Sequence, residues 1–294
     1  MVLWESLWPQ LDSSARVTEV QKYFAQKSAC YDAVDQQPYW VFSDALLWEL
    51  LRHLVLDELA ARDQITLLDA GCGTARWSIK ILQYLPSCIA TLLDISPEML
   101  AVAQKKLDNL NLRSRTSLIQ YDLHNLASAN ETFDCVICFH NVLSFISDPK
   151  RVVNALVDMT VPGGVIALVV PNYYHALYFS LAQGRWKELD RIRDRGSVKF
   201  TDDVPEMLLF TPSLVASLLR DAGTTDIGVF GFPVTVYPQI EETGLSSSSS
   251  FALTIFAQEE LRETLTRMEL QLCLNQEAAA RGNNLLAVAR RKEH

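Results

Sequence analysis

The chain lacks any excess of positive charge: 26 lysines and arginines stand against 35 aspartates and glutamates, a formal net charge of −9 at pH 7. Broad affinity for nucleic acid or an anionic membrane needs clustered cations, so this balance argues against both partners, although small basic pockets are compatible with it. The sequence also lacks the spacing of a disulfide scaffold. Its six cysteines, Cys30, Cys72, Cys88, Cys135, Cys138 and Cys273, are scattered, and several sit in apolar runs where a reduced, buried thiol is the ordinary outcome. Cys135 and Cys138 form a CxxC pair, but inside the strand-like run 133–139, where a three-residue separation puts them on opposite faces. No metal or redox site is therefore expected. No basic stretch followed by an apolar one opens the chain, and no uninterrupted apolar run is long enough to cross a bilayer, so a cytoplasmic protein without a membrane partner is expected. Internal repeats are absent, and oligomeric state is not readable.

With 294 residues and 49% hydrophobic content, there is enough material for one large packed domain carrying an insertion or cap. Its most informative stretch is Ile65-Thr66-Leu67-Leu68-Asp69-Ala70-Gly71-Cys72-Gly73-Thr74-Ala75, echoed about 25 residues later by Thr91-Leu92-Leu93-Asp94. Each is an apolar run ending in Asp, and the first passes directly into a glycine turn. An open parallel α/β sheet holds a nucleoside this way: backbone approaches the ligand at the first turn, and a carboxylate ending the next strand takes the ribose hydroxyls. Strands are expected at 65–69, 89–94, 117–121, 133–138, 165–170, 226–231 and 285–289. Helices are expected at 75–84, 97–107, 148–160, 211–221 and 252–275. Ser96 before Pro97 and Thr211 before Pro212 read as caps followed by first-turn prolines. Pro162-Gly163-Gly164 reads as a turn ahead of the fifth strand, and Gly244 with the serines 246–250 as a flexible loop.

Residues 1–62 read as a helical lid, with one helix capped by Thr18 and a second beginning near Asp44. The aromatic segment Pro38-Tyr39-Trp40-Val41-Phe42 would lie between them. Residues 63–171 read as the cofactor-binding core, 172–205 as an aromatic and basic cap, and 206–294 as the rest of the core. The cap's Arg191, Arg193 and Arg195 suit an anionic acceptor, and Asp202, Asp203 and Glu206 a cationic one; the residues alone do not choose.

A dinucleotide site asks for a third glycine, G-x-G-x-x-G, so that pyrophosphate and helix can pass closely. Here that place holds Arg76, followed by Trp77, and both are bulky. The run Asp69-Ala70-Gly71-Cys72-Gly73-Thr74 instead resembles the first motif of the class I S-adenosylmethionine-dependent methyltransferases, with Ala75 where a further glycine is often found. The resemblance covers residues 60–170 and the last strand. It implies a Rossmann-like fold: a mostly parallel seven-stranded sheet, helices on both faces and a helical, aromatic cap. It also implies S-adenosyl-L-methionine as cofactor. Asp69 would organise the methionine amino end, with Gly71, Cys72 and Gly73 beneath the sulfonium and ribose. Asp94 would take the ribose hydroxyls, Ile95 would pack on adenine, and Asp122 with the Leu123 amide would meet its edge. Phe139, His140 and Asn141 would shape the methionine end and the acceptor site. The plain alternatives are that Asp122 caps the next turn, that Asp94 caps the helix near Pro97, and that His140 is a satisfied polar residue.

The expected activity is methyl transfer to an oxygen or nitrogen of a small molecule, in natural-product biosynthesis. His140 is the candidate base, because an ordinary imidazole titrates near working pH. Tyr23, Tyr31, Trp40, Asn141, Tyr173, Tyr178 and Trp186 are candidates for the substrate pocket. Carbon or peptide methylation, cofactor binding without catalysis, and NAD-dependent oxidoreduction are the alternatives.

Overall fold

Alternation of short apolar strands with amphipathic helices brings the ends of distant segments to one edge of a sheet. A computed structural model describes residues 13–126, 131–237 and 258–293. Helix α1 spans Ser13–Lys27, so Thr18 lies inside it and not at its start. Helix α2 spans Pro38–Leu51, with its proline in the first turn, where a missing N–H leaves no bond unmade. The aromatic segment 38–42 is therefore the first turn of α2, and Asp44 sits within the helix. A π turn, Arg52–Leu56, leads into the single turn α3, Asp57–Leu59.

The core follows as β1 (Ile65–Ala70), α4 (Arg76–Tyr84), β2 (Cys88–Asp94), α5 (Pro97–Asn109), β3 (Thr116–Gln120), β4 (Phe133–Cys138), α6 (Pro149–Asp158) and β5 (Thr160–Pro171). Pro162, Gly163 and Gly164 fall inside β5, not ahead of it. The β4–β5 pairing shifts register between Phe133 and Cys135, and Gly163 takes φ +73° there, so the strand absorbs the turn as an irregularity. Next come α7 (Tyr173–Ala182), α8 (Trp186–Arg195) and a two-stranded antiparallel pair, β6 (Ser197–Val198) with β7 (Met207–Leu208). Helix α9 (Pro212–Asp221), β8 (Thr224–Phe232), α10 (Glu259–Leu274) and β9 (Asn284–Arg291) complete the chain. The expected serine loop and residues 252–257 of the expected last helix lie outside the described residues.

The sheet order is β3-β2-β1-β4-β5-β9-β8. Strands β1 to β5 pair in parallel, and β9 runs antiparallel to both β5 and β8. The expected mostly parallel, seven-stranded α/β sheet is thus present. Alternate residues of each strand feed two cores. Leu67, Cys135, Ile137 and Val169 pack with α2 and α4 on one face, while Leu68, Val136, Cys138 and Val170 pack with α6 and α9 on the other. Cys135 and Cys138 accordingly lie on opposite faces. A third, smaller core joins Val20 of α1 to Ala176, Ile192 and Val198 of the cap. The order reverses between β1 and β4, and a crevice opens at the carboxyl ends of such strands. Among the described residues no helix is long and apolar enough to cross a membrane.

Candidate functional site

Three backbone positions with positive φ shape the turn after β1: Gly71 at +89°, Gly73 at +53° and Ala75 at +60°. A side chain on Gly71 would begin 2.5 Å from Cγ2 of Val142, whereas a Cβ on Gly73 would meet nothing within 4 Å. Gly71 is therefore required for packing, and Gly73 keeps its backbone open to a neighbouring space. The amides of Gly71 and Cys72 both donate to the Leu93 carbonyl at 2.8 Å, tying the turn to β2. The Asp94 carboxylate receives the Gly73 amide on Oδ2 at 2.8 Å and the Ser96 amide on Oδ1 at 2.9 Å. Asp94 also lines the space that Gly73 leaves open. Helix α5 is capped by Ser96, whose hydroxyl accepts from Met99 N, so Asp94 is not needed for that purpose.

The turn borders a cavity of about 910 Å³, counted to its mouth. Every residue expected at the cofactor lines it: Asp69, Gly71, Cys72, Gly73, Asp94, Ile95, Asp122, Leu123 and Phe139. Asp69 is buried and accepts a hydrogen bond from the Ser78 hydroxyl; burial pushes its carboxyl up to about 7. Burial also raises Asp94, against the pull of its amide donors, and holds the Cys72 thiol well above its ordinary range. Asp122 lines the cavity and also caps the turn after β3, because its Oδ1 accepts from His124 N at 2.9 Å. The capping reading of that residue is thus present, and it leaves Asp122 in the cavity wall. The lid reaches this site by charge: Asp32 accepts from Thr74 at 2.6 Å and from Lys106 at 2.8 Å, while Arg76 pairs with Asp35 and, at 2.5 Å, with Asp44. Val17, Val20 and Phe24 of α1 close the cavity from above.

A second cavity, about 1190 Å³ to its mouth, lies beside the first. Phe24, Tyr31, Arg76, His140 and Phe145 line both and form the wall between them. Tyr23, Tyr31, Trp40 and Asn141 line the second cavity as expected. Tyr173, Tyr178 and Trp186 line neither, which corrects their placement. In α7 the inward positions are His175 and Phe179, one turn apart, which leaves Tyr178 55% exposed; Trp186, opening α8, is 67% exposed. The cap's charges also stay away from both cavities. Arg191 pairs with Glu188 and Glu206, Arg185 with Asp202, and Arg193 with Asp190 and Asp194.

His140 and Asn141 leave β4 with φ of +51° and +65°, two consecutive residues in a region that costs strain for side chains other than glycine. His140 Nε2 accepts a hydrogen bond from the Trp77 indole N–H. Burial, reinforced by Arg76 and Lys80 against the acids Asp44 and Asp35, pushes its imidazole down to about 4. The ring is weakly basic and its Nε2 lone pair is engaged, so the expected role of proton acceptor has both geometry and low basicity against it. Sequence reasoning treated Arg76 and Trp77 only as obstacles to a dinucleotide. Asn283, Asn284, Phe24, Phe145 and His175, which also line the cavities, are not among the expected site residues. The one available signal was that β9 begins at the edge where β4 and β5 end.

Set against known proteins, residues 67–164 match a family model described as a methyltransferase domain. A tRNA 5-carboxymethoxyuridine methyltransferase of Escherichia coli K12 is 24% identical over 250 residues, covering 85% of this chain and 88% of that one. Malonyl-[acyl-carrier protein] O-methyltransferase 1 of Ilyobacter polytropus is 34% identical over 125 residues, 42% of this chain and 43% of that protein. Among solved structures, magnesium protoporphyrin IX methyltransferase of Synechocystis PCC 6803 with bound S-adenosylhomocysteine aligns with a TM-score of 0.57. It is 16% identical, with 94% of this chain and 100% of that chain covered, a likeness of fold.

Proposed function

The chain belongs to the class I S-adenosylmethionine-dependent methyltransferases, and on that premise we propose that it methylates an oxygen or nitrogen of a small molecule in natural-product biosynthesis. The observation that carries this reading is the wall of Phe24, Tyr31, Arg76, His140 and Phe145 shared by two cavities. One cavity has the glycine turn and strand-end carboxylates of a nucleoside site, and the other is an aromatic chamber within reach of it. When bound, S-adenosylmethionine supplies a methyl group already activated by its positively charged sulfur.

The protein's work is then to hold, orient and keep dry. Gly71, Cys72 and Gly73 would present backbone to the cofactor, in the space left open beside Gly73. Asp94 would take the ribose hydroxyls, Ile95 and Leu123 would flank the adenine, Asp122 would receive its amino group, and Asp69 and Phe139 would border the methionine end. Trp77, by occupying His140 Nε2, leaves the ring proton on Nδ1. We assign His140 as a positioning residue that donates from Nδ1 to the acceptor and does not take its proton. The reactive lone pair must then reach the wall free, and alignment supplies much of the rate.

Two experiments test this. Calorimetry should detect S-adenosylmethionine and S-adenosylhomocysteine but not NAD, and an acceptor library should release S-adenosylhomocysteine; binding of NAD alone would overturn the assignment. With an acceptor in hand, His140→Gln should retain turnover within about tenfold and His140→Ala should lose more, with no protonation step near pH 6–7 in the wild-type profile. A thousandfold loss in His140→Gln together with an acid limb at that pH would restore the base. The Escherichia coli relative, which spans most of both chains, favours a second reading, a modified tRNA nucleoside as acceptor. The net charge of −9 and the self-paired cap arginines weigh against it, and retention of labelled tRNA by the protein at 150 mM salt would reverse that judgement.

A further inference from the structure

Taking the second cavity as the acceptor chamber, we infer that it selects an uncharged, ring-containing acceptor bearing a neutral group that both donates and accepts hydrogen bonds, such as a carboxamide or lactam. This rests on the methyltransferase reading and extends it to substrate class.

Charge comes first. The residues lining the chamber include one carboxylate and one guanidinium, Asp44 and Arg76, and these meet each other at 2.5 Å. Their side chains are 8% and 9% exposed, and Arg76 also binds Asp35 from the lid. The two imidazoles of the wall, His140 and His175, are both held neutral by burial. An ionised ligand would surrender its hydration to a wall in which Arg76 is already committed to two carboxylates and Asp44 to Arg76, which leaves neither an anion nor a cation an uncommitted charge to pair with.

Hydrogen bonding comes second. His175 is only 4% exposed, its ring is surrounded by Tyr178, Phe179 and Tyr237, and its Nδ1 has no hydrogen-bond partner. Asn141 Oδ1 is likewise buried and unpartnered. Arg76 Nε in the same lining is buried and without a hydrogen-bond partner as well. Buried polar atoms are ordinarily paired, so these orphans in one wall mark a place where a ligand completes the bonding. Topology gathers His175 and Asn141 with Asn284. The Asn141 amide donates to the Val169 carbonyl of β5, Asn284 stands opposite Pro171 at the end of that strand, and His175 lies in the first turn of the helix that follows. Asn283 alongside is already used, donating to the Tyr39 hydroxyl at 2.6 Å. Amide and neutral imidazole each donate and accept, so they complement a neutral group that does the same. Around them Trp40, Phe179, Phe200, Phe232 and Met207 present apolar and aromatic surface for a ring system.

The test uses three probes of one shape with different charge: 2-naphthamide, 2-naphthoate and 2-naphthylmethylammonium. Each is titrated calorimetrically into the full chain saturated with S-adenosylhomocysteine. The amide should bind at least tenfold more tightly than either ion. His175→Phe, which keeps the ring and removes its nitrogens, should weaken the amide at least fivefold while leaving S-adenosylhomocysteine affinity unchanged; Asn284→Leu should act in the same direction should the histidine variant not fold. Equal or tighter binding of the carboxylate or the ammonium overturns the inference. So does the absence of amide binding at millimolar concentration, or a folded His175→Phe with undiminished affinity. Failure of S-adenosylhomocysteine itself to bind would strike the methyltransferase reading instead, which keeps the two failures distinguishable.

Discussion

The two cavities share a wall but are made differently. The first draws its carboxylates and glycine turn from one stretch, 69–124, where strand ends and backbone amides converge, with apolar cover from α1 and the end of β4. The second draws side chains from residues as far apart as Tyr23 and Asn284. Recognition by backbone geometry leaves a compact pattern in the chain, because positive φ demands glycine and a strand-end carboxylate keeps a set distance from it. Recognition by side chains leaves no such pattern, since any helix or strand that reaches the chamber can contribute.

Four perturbations would break or sharpen that contrast. The largest effect is expected at the turn. Gly71→Val places a branched side chain at φ +89° against Val142, and chemical denaturation should show a loss of about 3 kcal/mol or more. Unchanged stability would mean that the turn is not built as described.

Next, the two regions should titrate in opposite senses. Asp69, in the cofactor half, is raised from 3.8 to about 7 by burial. The folded state therefore favours its protonated form, and its contribution is full at low pH and lost as pH rises from about 4 through 7. His175, in the acceptor half, is lowered from 6.5 to about 4 by burial. The folded state favours its neutral form, so its contribution is full above pH 6.5 and lost as pH falls toward 4. A shift of that size corresponds to roughly 2–3 kcal/mol between pH 7 and 4.5. Denaturation across pH 4–8 should show Asp69→Asn flattening the alkaline side and His175→Phe flattening the acid side. Both variants bending the same side would undo the comparison.

A smaller effect is expected at Asp94. Asp94→Ala removes the acceptor of the Gly73 and Ser96 amides as well as the proposed ribose partner. S-adenosylhomocysteine affinity should fall tenfold or more, about 1.4 kcal/mol, whereas Asn284→Leu in the other cavity should leave it alone. Smallest is Ala75→Gly. Alanine at φ +60° carries a left-handed strain of about 1 kcal/mol, which glycine relieves at some cost in chain entropy, so the melting temperature should rise by a few degrees at most. A fall would show that the Ala75 methyl, fully buried in the core, contributes more by packing than its backbone loses.

Much of the fold was legible because apolar period and punctuation agree. All seven expected strands of the sheet are present, and Ser96 and Thr211 cap the helices they were expected to cap. Thr18 misled because a cap-forming residue is also tolerated within a helix, and the true start, Ser13, is one of two adjacent serines. Pro38 was overlooked as a helix start because its aromatic neighbours resemble a packing link. The cap residues misled for a rotational reason. Among the aromatic residues of 173–186, which ones turn inward depends on how α7 docks against the sheet, and composition does not encode that angle.

By itself, then, the chain determined a mostly parallel α/β sheet and the glycine turn whose backbone opens into the first cavity. Both follow from local demands, namely alternating burial along strands, positive φ at glycine, and an acid at a strand terminus. Only the tertiary structure decided which aromatics face the chamber, that Trp77 occupies a nitrogen of His140, and that Arg76 is committed to Asp35 and Asp44. Those outcomes depend on distances between residues far apart in sequence, and burial, hydrogen-bond occupancy and charge pairing exist only once those distances are set.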